Sequence, residues 1–260
     1  MRTCTTFSFR SQKAMMMPER TVLSISGDDR IPFLQGLVTN DVTKADGGII
    51  YSALLTPQGK FTADFFVIGQ AERLLIDVAA THAQALGQRL MMYRLRAAVT
   101  IEQTDLIVSR GTGPKPEDAF DDPRHAAMGW RAYGGVDTSD NTDWDGLRVE
   151  NLIPQTGMEL TGDTYILEAG FEALGGVDFK KGCFVGQEIV ARMKHKTTLK
   201  KGLAQVALKG KAAPGDAITA DGKPVGTLFT IAGDRALAFL RFDRADGEMQ
   251  AGDATLTRLK

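Results

Sequence analysis

FKKGCFVGQEIVARMKHK, residues 179–196, carries one thiol, Cys183, with Lys180, Lys181 and Gly182 before it and Gly186 shortly after. The run GQEIVARMKH reads as a helix beginning near Gln187. Glu188 falls in its first turn, Arg192 and Lys194 in its last, the distribution a helix dipole favours. Cys183 then lies in the turn that enters the helix N-terminus, where nearby ammonium groups and the dipole both favour thiolate over thiol. A thiol so placed can serve as a nucleophile, a redox sensor or a single ligand to a shared metal. It can equally be a small buried residue in a tight Gly182–Gly186 turn. A nucleophile needs a positioned base, and His82, His125 and His195 are the histidines available.

Around this stretch the composition sets limits. A chain of 260 residues suits two or three compact modules. Its net charge of −1 excludes polyanion binding by bulk charge, so any basic surface is local. One such cluster holds Lys180, Lys181, Arg192, Lys194, Lys196, Lys200 and Lys201 against Glu188. It reads as a solvated helix face or as an anion site for phosphates or carboxylates. It lacks the interleaved aromatics of single-strand binders, so no nucleic-acid partner is expected. No run of about 18 apolar residues exists, and no membrane partner is expected. Cys4 and Cys183 alone supply neither a disulfide framework nor a four-cysteine metal site, and no metal-ligand set is read. Walker, Rossmann and HExxH patterns are missing.

Residues 1–17, MRTCTTFSFRSQKAMMM, contain Arg2, Arg10 and Lys13, no acid and no apolar signal core. They read as a transit peptide or as a disordered tail ahead of a start at Met15, Met16 or Met17. The expected location is cytoplasmic, or the mitochondrial matrix if the segment is a transit peptide.

Along the chain, residues 20–26 read as a strand and 27–41 as a helix, with Ile31, Leu34 and Val38 at helical spacing and Pro32 near its start. Residues 49–56 and 61–69 form a hairpin about the turn PQGK. A strand at 73–79 leads to a helix over 81–96, capped by Thr81 and apolar along Leu86, Leu90 and Tyr93. Strands follow at 97–103 and 106–111, then a surface loop to 125, a strand over 126–134 and a helical region over 137–152. Short strands between Gly-rich turns mark a small β-barrel after a boundary near 197–201. The expected division is a tail at 1–16, a two-module region at 17–198 and a barrel at 199–260.

LRVENLIPQTGMEL, residues 147–160, sets Glu150 between Val149 and Leu152. An acid near a helix end is ordinarily a surface charge. Its apolar neighbours allow it to face inward, where a carboxylate needs donors. The paired N–H edge of a pterin is one such donor set.

KKGCFVGQEIVARM resembles the K-G-C-[FY]-x-G-Q-E signature of the YgfZ-type folate-binding proteins, which assist iron–sulfur cluster assembly or repair. FLQGLVTNDV (33–42), YSALLTPQGKFTADFFV (51–67) and LRVENLIPQTGMEL resemble three further segments of that family, so the resemblance runs from about residue 20 to 200. It implies an α+β fold of the glycine-cleavage T-protein superfamily: interleaved α/β modules around a folate channel, with a C-terminal small β-barrel. It implies Cys183 and Lys181 as the acting pair. Glu150, Arg148, Asn40, Asp64, Gln187 and Glu188 are the implied set for tetrahydrofolate or a derivative. The implied protein is a monomeric accessory factor whose thiol works with iron–sulfur assembly or client proteins, because one cysteine cannot hold a cluster. Two alternatives stand beside it: a folate-dependent aminomethyltransferase or demethylase, and an interaction protein that has lost folate binding. Two departures bear on them. The transferases carry two adjacent aspartates where this chain has Ala63 and Asp64. A His-Arg-Gly segment after the signature is here His195, Lys196 and Thr197, which removes a bidentate arginine.

Overall fold

A computed structural model describes residues 19–196 and 198–259. The tail expected at 1–16, Cys4 and Thr197 lie outside the described residues. Strands β1 (Arg20–Ser26), β2 (Ile49–Leu55), β3 (Phe61–Gly69), β4 (Arg73–Ala79) and β5 (Thr100–Gln103) form an antiparallel sheet in the order β2-β3-β4-β1-β5. Both faces are covered, which is why its strands read as apolar runs rather than alternations. On one face Leu23, Ile25, Phe65, Ile76 and Val78 meet Leu86 and Leu90 of helix α2 (Ala80–Arg94). On the other, Val22, Tyr51, Phe66 and Leu75 meet Phe171, Phe184 and Val190.

Two local expectations change here. Helix α1 spans only Arg30–Gln35, although the apolar spacing continues to Val38. Gly36, Leu37 and Val38 N–H still donate to Pro32 O and Leu34 O, and from Thr39 on the chain finds its partners outside the helix. Thr39 N–H donates to Ala53 O at 3.0 Å, and Asn40 Nδ2 donates to Tyr51 O at 2.8 Å and Gly175 O at 2.7 Å. Periodicity is a weak prior against such tertiary bonds. Helix α2 also starts before Thr81, which is not its cap. β4 runs directly into it, and Ala80 N–H donates to Glu19 O at 2.8 Å.

The second module is built on a sheet of β6 (Ile107–Gly111), β7 (Phe120–Asp121) and β8 (Trp130–Gly134), ordered β6-β8-β7. The strand expected over 126–134 starts only at Trp130, because Ala126–Met128 form a single 3-10 turn that ends at Gly129, where φ is 63°. A Cβ there would lie 2.0 Å from Gly111 O, so a glycine is what lets β6 pass. Helix α3 covers Trp144–Glu150 only. Asp143 sets its start by accepting from Gly146 N–H at 3.0 Å. Helix α4 spans Gln187–Lys196.

The chain ends in a closed barrel of β9 (Lys201–Lys209), β10 (Ala217–Ala220), β11 (Lys223–Ala232), β12 (Arg235–Arg241), β13 (Met249–Ala251) and β14 (Ala254–Arg258). β9 alternates along KGLAQVALK, turning Ala204, Val206 and Leu208 toward Leu228, Leu240 and Leu256. The barrel is tied to the second module by Gln205 Nε2 donating to Val149 O at 3.0 Å and Leu203 N–H to Glu168 O at 2.7 Å. No helix among the described residues is long and apolar enough to cross a membrane.

Candidate functional site: the cysteine loop and the arginine centre

The loop 178–186 is stapled onto the segment 35–44. Asp178 N–H donates to Thr39 O at 3.0 Å. Its carboxylate accepts from Lys180 N–H at 2.6 Å, Lys181 N–H at 3.2 Å and Lys44 Nζ at 2.7 Å, and these bonds hold its pKa below the usual carboxylate range. Lys181 is buried, and its Nζ donates to Gln35 O at 2.7 Å and to Val38 O. A cation at the carboxyl end of α1 meets carbonyls the helix leaves unpaired. Burial lowers the Lys181 pKa from 10.5 to about 8, with Asp41 and Asp178 partly opposing that fall. The ammonium expected at the thiol's side is thus committed to two main-chain carbonyls. Its work is to fix the loop.

Further on, Gly186 (φ 84°) packs against the β2–β3 turn. A Cβ on Gly186 would lie 2.7 Å from Thr56 O, and one on Gly59 would lie 2.8 Å from Ile189 Cβ. The two glycines let the signature loop and the hairpin interlock. Phe184 and Val190 then enter the core, while Gly182 and Cys183 stay outside. Cys183 is a free, exposed thiol, so the buried-turn alternative does not describe it. Glu188 is exposed and pairs with Arg192 at 3.1 Å across one helical turn, and Gln187 opens α4.

The implied folate set is not brought together. Asn40 is spent on the carbonyls of Tyr51 and Gly175. Gln187 and Glu188 stand in the first turn of α4, directly after the cysteine loop. Glu150, expected to face inward, is exposed at the end of α3 and lines an open groove of about 1120 Å³ between α3, the loop 140–143 and the barrel turn at Gly233. The inward carboxylate of the segment is Glu159. It accepts from Arg148 Nη1 at 3.1 Å, Gln155 N–H at 3.0 Å, Thr230 N–H at 3.2 Å and Thr230 Oγ1 at 2.5 Å. Helix α3 ends at Glu150, so the side-chain direction depends on where the chain turns, which spacing did not show. Asp64 and Arg148 do share a cavity, with Thr156, but its volume is about 30 Å³, room for about two waters. Asp64 already accepts from Tyr51 Oη at 2.9 Å and from Thr156 Oγ1. A bicyclic pterin does not fit this arrangement.

What fills the centre is a cluster that motif reading missed. Asp77, fully buried in β4, accepts from Arg20 Nε at 2.6 Å, from Tyr133 Oη at 3.0 Å and from Arg131, which lies across from it in the second module. Despite full burial, the two guanidinium groups hold its carboxyl far below the ordinary range, and burial and Asp77 push the Tyr133 phenol up. Asp122 pairs with Arg124 at 2.8 Å. The guanidinium carbons of Arg131 and Arg124 lie 3.9 Å and 4.9 Å from the centre of the Phe66 ring. The sequence signal was an acid inside the apolar run RLLIDVA and an arginine inside the strand WRAYG.

Such a set of modules closed by a barrel is the architecture of the aminomethyltransferase T fold. The crystal structure of glycine cleavage system aminomethyltransferase T from Bartonella henselae matches it with a TM-score of 0.75, covering 94% of this chain and 83% of that one at 14% identity. The family model for the CAF17 C-terminal beta-barrel domain matches residues 200–260. At the sequence level the relatives include iron–sulfur cluster assembly factors named IBA57. The mitochondrial protein of Mus musculus is 28% identical over 278 residues, 88% of this chain and 78% of its own. The mitochondrial homolog of Mycosarcoma maydis is 27% identical over 246 residues, 82% of this chain. The match spans 61% of the length of that relative.

Proposed function

We propose that this chain is a mitochondrial accessory factor for iron–sulfur cluster assembly that presents Cys183 to a partner protein. The observation that carries the reading is a free, exposed thiol on a loop whose backbone is held by Lys181, Asp178 and Lys44. The names of the IBA57 relatives supply the process and the compartment. One thiolate can be one ligand of a cluster that takes four, so the remaining ligands come from the partner. In this reading the cluster is cargo. The chain's own residues fix the direction of approach: Lys181 and Asp178 keep the loop in place, Gly182 leaves open space beside the thiol, and Phe184 anchors the loop to the core.

Tetrahydrofolate binding is the finer part of the reading and is supported by the fold. With the cavity at Asp64 and Arg148 holding about 30 Å³, binding there requires the modules to part. No step of the proposed role passes through it. Aminomethyl transfer is the less supported alternative, since Ala63 stands where the transferases carry an aspartate.

The test is a knockout of the chromosomal gene scored for several iron–sulfur enzyme activities and complemented by wild type, Cys183→Ala or Cys183→Ser. Cys183→Ala should fold normally and fail to restore activity. Full rescue by both variants would remove the thiol from the function. A calorimetric titration of the wild-type protein with tetrahydrofolate separately decides the ligand.

A further inference from the structure

We propose that the groove where β1, β6 and α3 meet is a binding site for a small organic anion, a carboxylate or phosphate, seated on Arg110. The groove has a volume of about 610 Å³, and Arg20, Arg110, Ser139, Asn141 and Trp144 are among its lining residues. Arg20 and Arg110 also line the small interior cavity at Asp64, so these two side chains stand between groove and centre.

The ion pairing of the centre singles out Arg110. Asp77 takes Arg20 and Arg131, Asp122 takes Arg124, and Arg148 pairs with Asp145 and Glu159. Among the described residues Arg110 has no carboxylate partner, and its guanidinium instead lies 5.3 Å from the centre of the Trp144 ring. Burial, with Arg131 and Arg20 close by, lowers its pKa to about 9. Arg110 is half-buried and Arg20 and Arg131 stand close by, so an anion that joined its guanidinium would offset that like charge. Of the acids on the groove wall, Asp137 is near enough for Arg110, after the bonds from Ser139, to help lower its carboxyl pKa, yet among the described residues none forms an ion pair with Arg110. Asp140 accepts from Thr112 N–H at 2.7 Å and Gly113 N–H at 3.0 Å, and Asp137 accepts from Ser139 N–H at 2.9 Å. Glu19 is exposed at the rim. A planar five-donor fork matches a carboxylate or phosphate in two bonds at once. The groove extends past the guanidinium along Leu106, Ile107 and Val108, which gives the body of an organic ligand an apolar wall.

The experiment is thermal unfolding and calorimetry of the full chain in sodium phosphate and in sodium glutarate, each matched in ionic strength with sodium chloride. Phosphate stabilises many proteins by exclusion from their surfaces, so the readout is the difference between wild type and Arg110→Gln. Wild type should gain several degrees in at least one anion over chloride and show saturable binding. Arg110→Gln should unfold no lower than wild type in chloride and bind at least tenfold more weakly. Arg110→Lys should bind with intermediate affinity. Preference for phosphate or glutarate names the source of the anion. Absence of any saturable response, an unchanged response in Arg110→Gln, or a large loss of stability in that variant would each overturn the proposal; the last would show that Arg110 is a paired structural cation.

Discussion

Replacing Lys181 by methionine isolates the contact that fixes the cysteine loop. In the folded chain its pKa is about 8 against an ordinary 10.5. Between those values the unfolded chain holds the extra proton, so the contribution of Lys181 to stability rises with pH through about 8–10.5 and is flat below. The fall corresponds to about 3 kcal/mol at most, and to about 1–3 kcal/mol after allowance for the solvent that reaches this site. Below pH 8 a second effect remains. Without the amine, the carbonyls of Gln35 and Val38 lose their donor, at about 1–3 kcal/mol for each group left unsatisfied. Relief of the buried charge offsets part of that. Lys181→Met should therefore be less stable than wild type at pH 7, and the gap should widen by about 1–3 kcal/mol by pH 10.5. Urea denaturation followed by tryptophan fluorescence, at constant ionic strength and four pH values, measures the gap. Other titrating groups act on both proteins and cancel in the difference. Parallel pH profiles would refute the reasoning, because Lys181 would then titrate alike in the folded and unfolded chains.

Further outcomes follow from the same contacts. Arg148→Met should cost about 3–5 kcal/mol in equilibrium denaturation, because it leaves the buried carboxylate of Glu159 without its counter-charge where the second module meets Thr230 of the barrel. Glu150→Ala, at an exposed position, should stay within about 0.5 kcal/mol of wild type by the same measurement. Asp77 has a depressed folded pKa, so its contribution is fully present above the unfolded value and is lost as pH falls below about 4. Asp77→Asn should accordingly be less stable at pH 7, with the gap narrowing in acid, read from unfolding curves at pH 7 and pH 3.

How far the sequence carried depended on the range of the interaction being read. The hairpin about PQGK, the strand RTVLSIS and the alternating strand KGLAQVALKG are decided by neighbours in sequence, and the fold class follows from them together with the signature. The turn that carries the thiol was legible for the same reason, but its exposure was not, because a tight Gly182–Gly186 turn suits a buried residue as well as an exposed one. The over-long helix at 27–41 failed because Thr39 and Asn40 find partners at Ala53, Tyr51 and Gly175, the last more than a hundred residues away. Lys181 beside Cys183 in sequence says nothing of a side chain that reaches back to Gln35 and Val38.

The centre shows why adjacency was a poor guide to the site. The apolar context of Glu150 suggested an inward carboxylate, yet that context belongs to Val149, whose side chain is the buried one. The acid that does go inside, Glu159, stands two residues after Gly157, where φ is 81° and the chain turns back. There Thr230 of the barrel completes its donor set. Asp77 and Arg131 make the same point from the other side. Each is a charge on a strand, and each is anomalous read alone, because an isolated buried charge is costly. Together they satisfy one another across two modules at a separation of 54 residues. A charge within an apolar strand is thus a sequence signal for an unseen partner, and pairing all such charges finds the centre. Applied to β6, the rule points to Arg110, which stands between groove and centre and among the described residues forms no ion pair, the feature on which the anion groove rests.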